Sequence, residues 1–224
     1  MLVDSHCHLD FDAFDTDREA VLTRARAAGV GLMVTISTKI TLADKIIGLA
    51  EAHEDVVCSV GIHPHEAGSE PKTPASEIVR LSAHPKVVGI GETGLDYYYE
   101  HSPREAQQRN FRAHIAAARE TGLPLIVHTR DADDDTMEIL AEAYADGAFP
   151  GLIHCYSTSP EVAEKALEIL KGDYTTVELI NAGNIAGKAI QICPTTILHS
   201  ISYPLTAEYS IPHGKALGYL LPRI

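Results

Sequence analysis

Cysteine is scarce in this 224-residue chain, cationic residues are outnumbered, and long apolar runs are missing. The four cysteines, Cys7, Cys58, Cys155 and Cys193, stand apart with no close pair. That spacing speaks against a disulfide framework and for reduced thiols in a cytoplasmic protein. No run approaches the roughly 18 apolar residues of a membrane-spanning helix, so no membrane partner is expected. The sequence reads straight into a strand without a basic, apolar leader, so no secretory signal is expected. Lys and Arg number 18 against 31 Asp and Glu, a formal charge of −13. This balance argues against broad electrostatic adhesion to nucleic acid. It leaves room for an enzyme acting on phosphate groups, because bound divalent cations reverse the charge locally. The length allows one large domain or two small ones, and the apolar content suffices for a sizeable core.

What is present is a series of short apolar runs, several ending in a polar residue. Leu2-Val3-Asp4-Ser5 leads into His6-Cys7-His8, Val87-Val88-Gly89-Ile90-Gly91 into Glu92, Leu123-Pro124-Leu125-Ile126-Val127 into His128, and Gly151-Leu152-Ile153 into His154. Such runs read as buried parallel strands. The pattern predicts strands at 2–6, 31–37, 56–62, 87–92, 124–128 and 150–154. Charged, amphipathic stretches between them predict helices at 16–28, 41–53, 74–83, 103–121, 132–146 and 159–170. Asp15 or Thr16 is expected to cap the first helix, Ser102-Pro103 the fourth with Pro103 at its first position, and Thr158 or Ser159 the sixth. Gly29 and Gly122 suit helix stops.

Six strand–helix units in series point to an α/β fold, a TIM-type (β/α) barrel that is incomplete, since a closed barrel needs eight units. The texture changes near Gly172. From there to Ile224 charges are sparse, and no seventh or eighth unit is recognisable. The expected organisation is a barrel over 1–171 and a divergent, mostly helical tail over 172–224, with helices around 182–193 and 196–209.

In a parallel barrel the strands deliver their ends to one mouth. On a strand, residues two apart face the same way, so His6 and His8 can both point into that mouth while Cys7 points away. Glu92 ends an apolar run, and a glutamate that deep needs a partner. His128 and His154 each end a strand. Mixed nitrogen and oxygen donors suit zinc, manganese or magnesium. Each residue also has a plain structural alternative: a surface pair for His6 and His8, a salt bridge for Glu92, and satisfied core imidazoles for His128 and His154. It is their recurrence at one topological level that favours a metal centre.

The segments Val3-Asp4-Ser5-His6-Cys7-His8-Leu9-Asp10, Gly61-Ile62-His63-Pro64-His65, Gly89-Ile90-Gly91-Glu92-Thr93-Gly94-Leu95-Asp96-Tyr97-Tyr98, Val127-His128-Thr129-Arg130-Asp131-Ala132 and Ile153-His154-Cys155-Tyr156-Ser157 resemble the TatD family of metal-dependent deoxyribonucleases. The resemblance covers about residues 1–171. It implies a TIM-type barrel, a two-metal site, and hydrolysis of DNA phosphodiester bonds by a metal-activated water. The expected substrate is single-stranded DNA or a 3′ end, attacked in the 3′→5′ direction. It implies His6 and His8 as ligands of one metal, Glu92 as the bridge, and His128 and His154 as ligands of the other. It puts His63 near the scissile phosphate and Arg130 on a phosphate oxygen, although a salt bridge to Asp131, Asp133 or Asp134 is the plainer alternative for Arg130.

The family pattern also includes a late Thr-Asp-Ser-Pro segment, and this sequence has none; Asp173 is its only Asp after residue 146. Impaired catalysis is therefore expected. The tail segments Ala182–Ile190, His199–Leu205 and Ile211-Pro212-His213-Gly214 resemble a fragment of the iron-containing alcohol dehydrogenases. In that family histidines at the separation of His199 and His213 bind iron, while the dehydrogenase's other ligands have no counterpart here. Rival readings are a non-catalytic metal-binding fusion remnant and an amidohydrolase-like enzyme acting on a small ester or amide. The Gly-Glu-Thr-Gly-Leu-Asp-Tyr-Tyr stretch speaks against the latter.

Overall fold

The apolar runs become strands, and the charged stretches between them carry helices. The computed structural model describes residues 2–154. The elements are β1 (Leu2–Cys7), α1 (Arg18–Ala27), β2 (Val30–Thr35), α2 (Ala43–Glu51), β3 (Val56–Val60), α3 (Ala75–Ser82), β4 (Val87–Asp96), α4 (Arg104–Thr121), β5 (Leu125–Arg130), α5 (Asp133–Ala145) and β6 (Gly151–His154). Cys155, Cys193, the helix expected at 159–170 with its cap, and the whole tail with His199 and His213 lie outside the described residues.

The strands form one sheet in the order β1-β2-β3-β4-β5-β6. Every neighbouring pair is parallel. Among the described residues this is the expected TIM-type architecture, a half-barrel of six staves with helices as the crossovers. The sheet curls until the ends of β1 and β6 meet through the rings of His6 and His154. Leu22, Ile46, Ile78, Phe111, Ile115 and Leu140 bring one fully buried face of each helix to the sheet. They join Val56, Cys58, Val60, Ile90, Leu125 and Val127 in a single core. Each such side chain contributes about 1.5–3 kcal/mol by leaving water. On the edge strands Leu2, Val3 and Leu152 remain exposed. No described helix is long and apolar enough to cross a membrane.

Several local expectations are corrected. Neither Asp15 nor Thr16 caps α1. A 3-10 turn over Asp12–Phe14 comes first, and Asp17 takes the cap position without a side-chain bond. The Asp15 carboxylate is engaged by Arg18 at 2.6 Å instead. At α4 it is Pro103 that occupies the cap position. The Ser102 hydroxyl is drawn into tertiary bonds, accepting from the Gly68 N–H at 2.9 Å and donating to the His65 carbonyl at 2.6 Å. Gly122 does stop α4, in the left-handed conformation (φ 70°) that lets its N–H reach the Ala118 carbonyl. The largest difference concerns β4, which runs four residues past Glu92 to Asp96.

Candidate metal centre

Glu92 owes its position to an irregularity in β4. The register against β5 passes from Gly91↔Ile126 to Thr93↔Val127, so Glu92 has no partner on that strand. Such a bulge re-aims a side chain. The Glu92 N–H donates to the Ser37 carbonyl at 3.1 Å, and the side chain, 3% exposed, points among four imidazoles. His128 Nδ1 lies 3.0 Å from Oε1, and His6 Nε2 lies 3.3 Å from Oε2. His154 Nε2 and His63 Nε2 are 3.7 and 3.8 Å from Oε1. Burial alone would push the Glu92 carboxyl up. The hydrogen bonds with His128 and His6, with His63 and His154 nearby, outweigh it and hold the group well below the usual range.

Two triads of donor atoms share this carboxylate. In the first, His6, His8 and Glu92 bring one ligand atom each to within 4.8 Å of the others; in the second, His63, Glu92 and His128 do so. The structure therefore gathers His6, His8, His63, Glu92, His128 and His154 at one mouth. His154 takes an individual place there, stacked on His6.

Hydrogen bonds made away from the mouth fix what each imidazole can offer. His8 Nδ1 lies 2.9 Å from the Ile36 carbonyl, so that nitrogen carries the proton and Nε2 keeps a free lone pair. His63 is the reverse. Its Nδ1 accepts the His65 N–H at 3.1 Å, which puts the proton of the neutral ring on Nε2, the nitrogen facing Glu92. Burial, reinforced by His128 and His65 and opposed by Glu92, pushes the His63 pKa down to about 3. The ring is thus neutral and a donor at its inward edge. Burial likewise pushes His154 down to about 4. His128 goes the other way. Burial disfavours its cation, but the bonds to Glu92 and Asp96 prevail and raise its pKa.

Asp96 and His65, to which the sequence analysis gave no role, complete the arrangement. Asp96 is 1% exposed. Its Oδ2 lies 3.1 Å from His128 Nε2 and 2.8 Å from His65 Nε2. Its Oδ1 accepts the N–H groups of Tyr98 and Tyr99 at 3.1 and 3.0 Å. A signal for Asp96 existed: residues i and i+4 of a strand share a face, so extending β4 by two pleats would have put Asp96 on the face that carries Glu92. Arg130 ends β5 with its guanidinium carbon over the rings of Tyr98 and Tyr99, at 4.2 and 4.7 Å.

The donor set fits divalent metal: one ionised carboxylate, imidazole nitrogens around it, and a carboxylate behind one of them. Comparisons with known proteins agree in kind. The family model described as TatD related DNase matches residues 3–191. The chain is 38% identical over 169 residues to the uncharacterized metal-dependent hydrolase YabD of Bacillus subtilis, covering 75% of this chain and 66% of that protein. It is 33% identical over 168 residues to the 3′-5′ ssDNA/RNA exonuclease TatD of Musicola paradisiaca, covering 75% and 63%. The chain thus spans slightly less than two thirds of these relatives. Among solved structures, YJJV, a TatD homologue from Escherichia coli, superposes with a TM-score of 0.66 at 28% identity, covering 75% of this chain and 65% of that one.

Proposed function

The chain belongs to the TatD related DNase family, and from that premise we propose that it is a metal-dependent phosphodiesterase removing nucleotides from the 3′ end of single-stranded DNA. The observation that carries this reading is the place of Glu92, which shares a donor triad with His6 and His8 and also faces His128 and His154 at 3.0 and 3.7 Å. In the proposed assignment His6 and His8 would hold one cation, His128 and His154 the other, and Glu92 would serve both. Magnesium, manganese or zinc would suit the set. Bound there, the cations supply Lewis-acid chemistry, neutralising charge on phosphoryl oxygens and acidifying water.

The chain's own residues do the rest. The Ile36 carbonyl turns His8 so that its free nitrogen faces inward. Asp96 does the same for His128, accepting from Nε2 and leaving Nδ1 toward Glu92. His63 is assigned to the substrate, because its inward Nε2 bears a proton and donates to a phosphoryl oxygen rather than binding metal. Arg130, at the rim, pairs with a neighbouring phosphate. The free thiols Cys7 and Cys58 favour a cytoplasmic setting. Slow turnover is expected, because no Thr-Asp-Ser-Pro segment supplies the late acid of the family pattern.

The test is direct. With manganese or magnesium, the purified chain should shorten a 5′-labelled single strand from its 3′ end, and chelator should stop it. Stoichiometric metal without cleavage under any divalent ion would favour a metal-binding remnant instead.

A further inference from the structure

Beside the Glu92 centre stands an ordered pair of tyrosines that the proposed chemistry does not use. Tyr98 and Tyr99 follow β4 directly, with 56% and 44% of their surface exposed. They are nonetheless held. Both backbone N–H groups are bonded to Asp96. Their rings meet at 90° with centroids 4.7 Å apart. Arg130 spans both rings, and the His101 ring lies parallel to Tyr99 at 5.4 Å. The group adjoins the metal centre through His65, whose ring is 5.4 Å from Tyr99 and whose Nε2 shares Asp96 with His128.

Exposed tyrosines fixed with an arginine over one face of each ring suit a planar, electron-rich ring, and base stacking tolerates any sequence. A chain of formal charge −13 repels a polyanion over most of its surface. Stacking needs no positive field, so it gives such a protein a grip that electrostatics denies it. A base inside a duplex has both faces covered by its neighbours and cannot use it.

We propose that Tyr98 and Tyr99, braced by Arg130, form a stacking platform for an unpaired nucleobase of single-stranded DNA or RNA beside the Glu92 centre. This rests on the phosphodiesterase reading and adds how its single strand is held: by one of its bases.

The absence of tryptophan makes the test clean, since Tyr98→Trp introduces the only indole of the chain. In stopped-flow mixing with the manganese-loaded full chain, short single strands of DNA or RNA should quench that indole. Blunt duplex, and a strand of equal length lacking all its bases, should not. Tyr98→Leu should weaken binding of base-bearing strands about tenfold in fluorescence anisotropy, leave binding of the baseless strand as it was, and be rescued by Tyr98→Phe. Quenching by only one of DNA and RNA would still support the platform and name its source. Equal quenching by the baseless strand, or none from strands that anisotropy shows to be bound, would overturn it. If the wild-type chain shortens DNA while these readouts fail, the platform is wrong and the Glu92 centre stands. If no strand is bound or shortened, both fall.

Discussion

The imidazoles of His6 and His154 lie face to face, 3.5 Å between centroids and 9° from parallel. They belong to the first and last strands of the six-stranded sheet, so their contact measures how far the sheet has curled. Both rings also approach Glu92 on β4, so the curl gathers side chains from distant parts of the chain onto one carboxylate.

Asp96 acts through His128. In Asp96→Asn the amide oxygen stays with the N–H groups of Tyr98 and Tyr99, so an NH2 donor replaces the acceptor facing His128 Nε2 and lets the ring turn. Loss of such an orienting carboxylate commonly weakens metal binding about 10–100-fold. Calorimetric titration of the metal-free chain with manganese should show that loss at one site, with the other retained. Unchanged affinity at both sites would remove Asp96 from the account.

His114 predicts how stability depends on pH. It is fully buried on α4, accepts the Ile62 N–H at Nε2 (3.0 Å) and donates from Nδ1 to the Asn110 carbonyl (2.7 Å). Burial pushes its pKa from 6.5 down to about 4, despite the Asn110 bond. Below pH 6.5 the unfolded chain takes up a proton that the folded chain refuses until about pH 4, so stability falls with pH across that window. The two pKa values set the loss at about 3 kcal/mol. Urea unfolding between pH 7 and pH 4 should show it, and His114→Gln should flatten this part of the slope.

How much of this was legible beforehand depended on the kind of signal. The strands, their order and the residues at their ends follow from apolar runs with polar tails, because buried parallel strands leave little else possible. The bulge at Glu92 was not legible, since it goes with a tertiary contact: the Ser37 carbonyl, in the segment that follows β2, takes the Glu92 N–H. For the same reason β4 was expected to stop at 92, and Asp96 lost its place beside Glu92. His63 stood in a recognisable segment, but its tautomer depends on the His65 N–H, a bond that only coordinates reveal. The Ser102 cap failed because two backbone groups from another segment claimed the hydroxyl.

Gly94 is a point of fragility. It adopts φ +131°, and an added Cβ would collide with the His128 carbonyl. A conformation that only glycine occupies freely costs another residue about 1–3 kcal/mol, before counting the collision. Gly94→Ala should therefore lower the urea midpoint and, by displacing β5 at His128, reduce metal uptake as well. A stable variant with full metal content would show that β4 and β5 are less closely apposed than described.

The sharing of one carboxylate between two cations is tested most directly by counting metal. Mass spectrometry of the native chain equilibrated with manganese should find two ions per chain in the wild type. Glu92→Ala should lose both together while circular dichroism shows the fold retained. A folded Glu92→Ala variant that still holds one ion, or a wild-type chain that never holds more than one, would contradict the account.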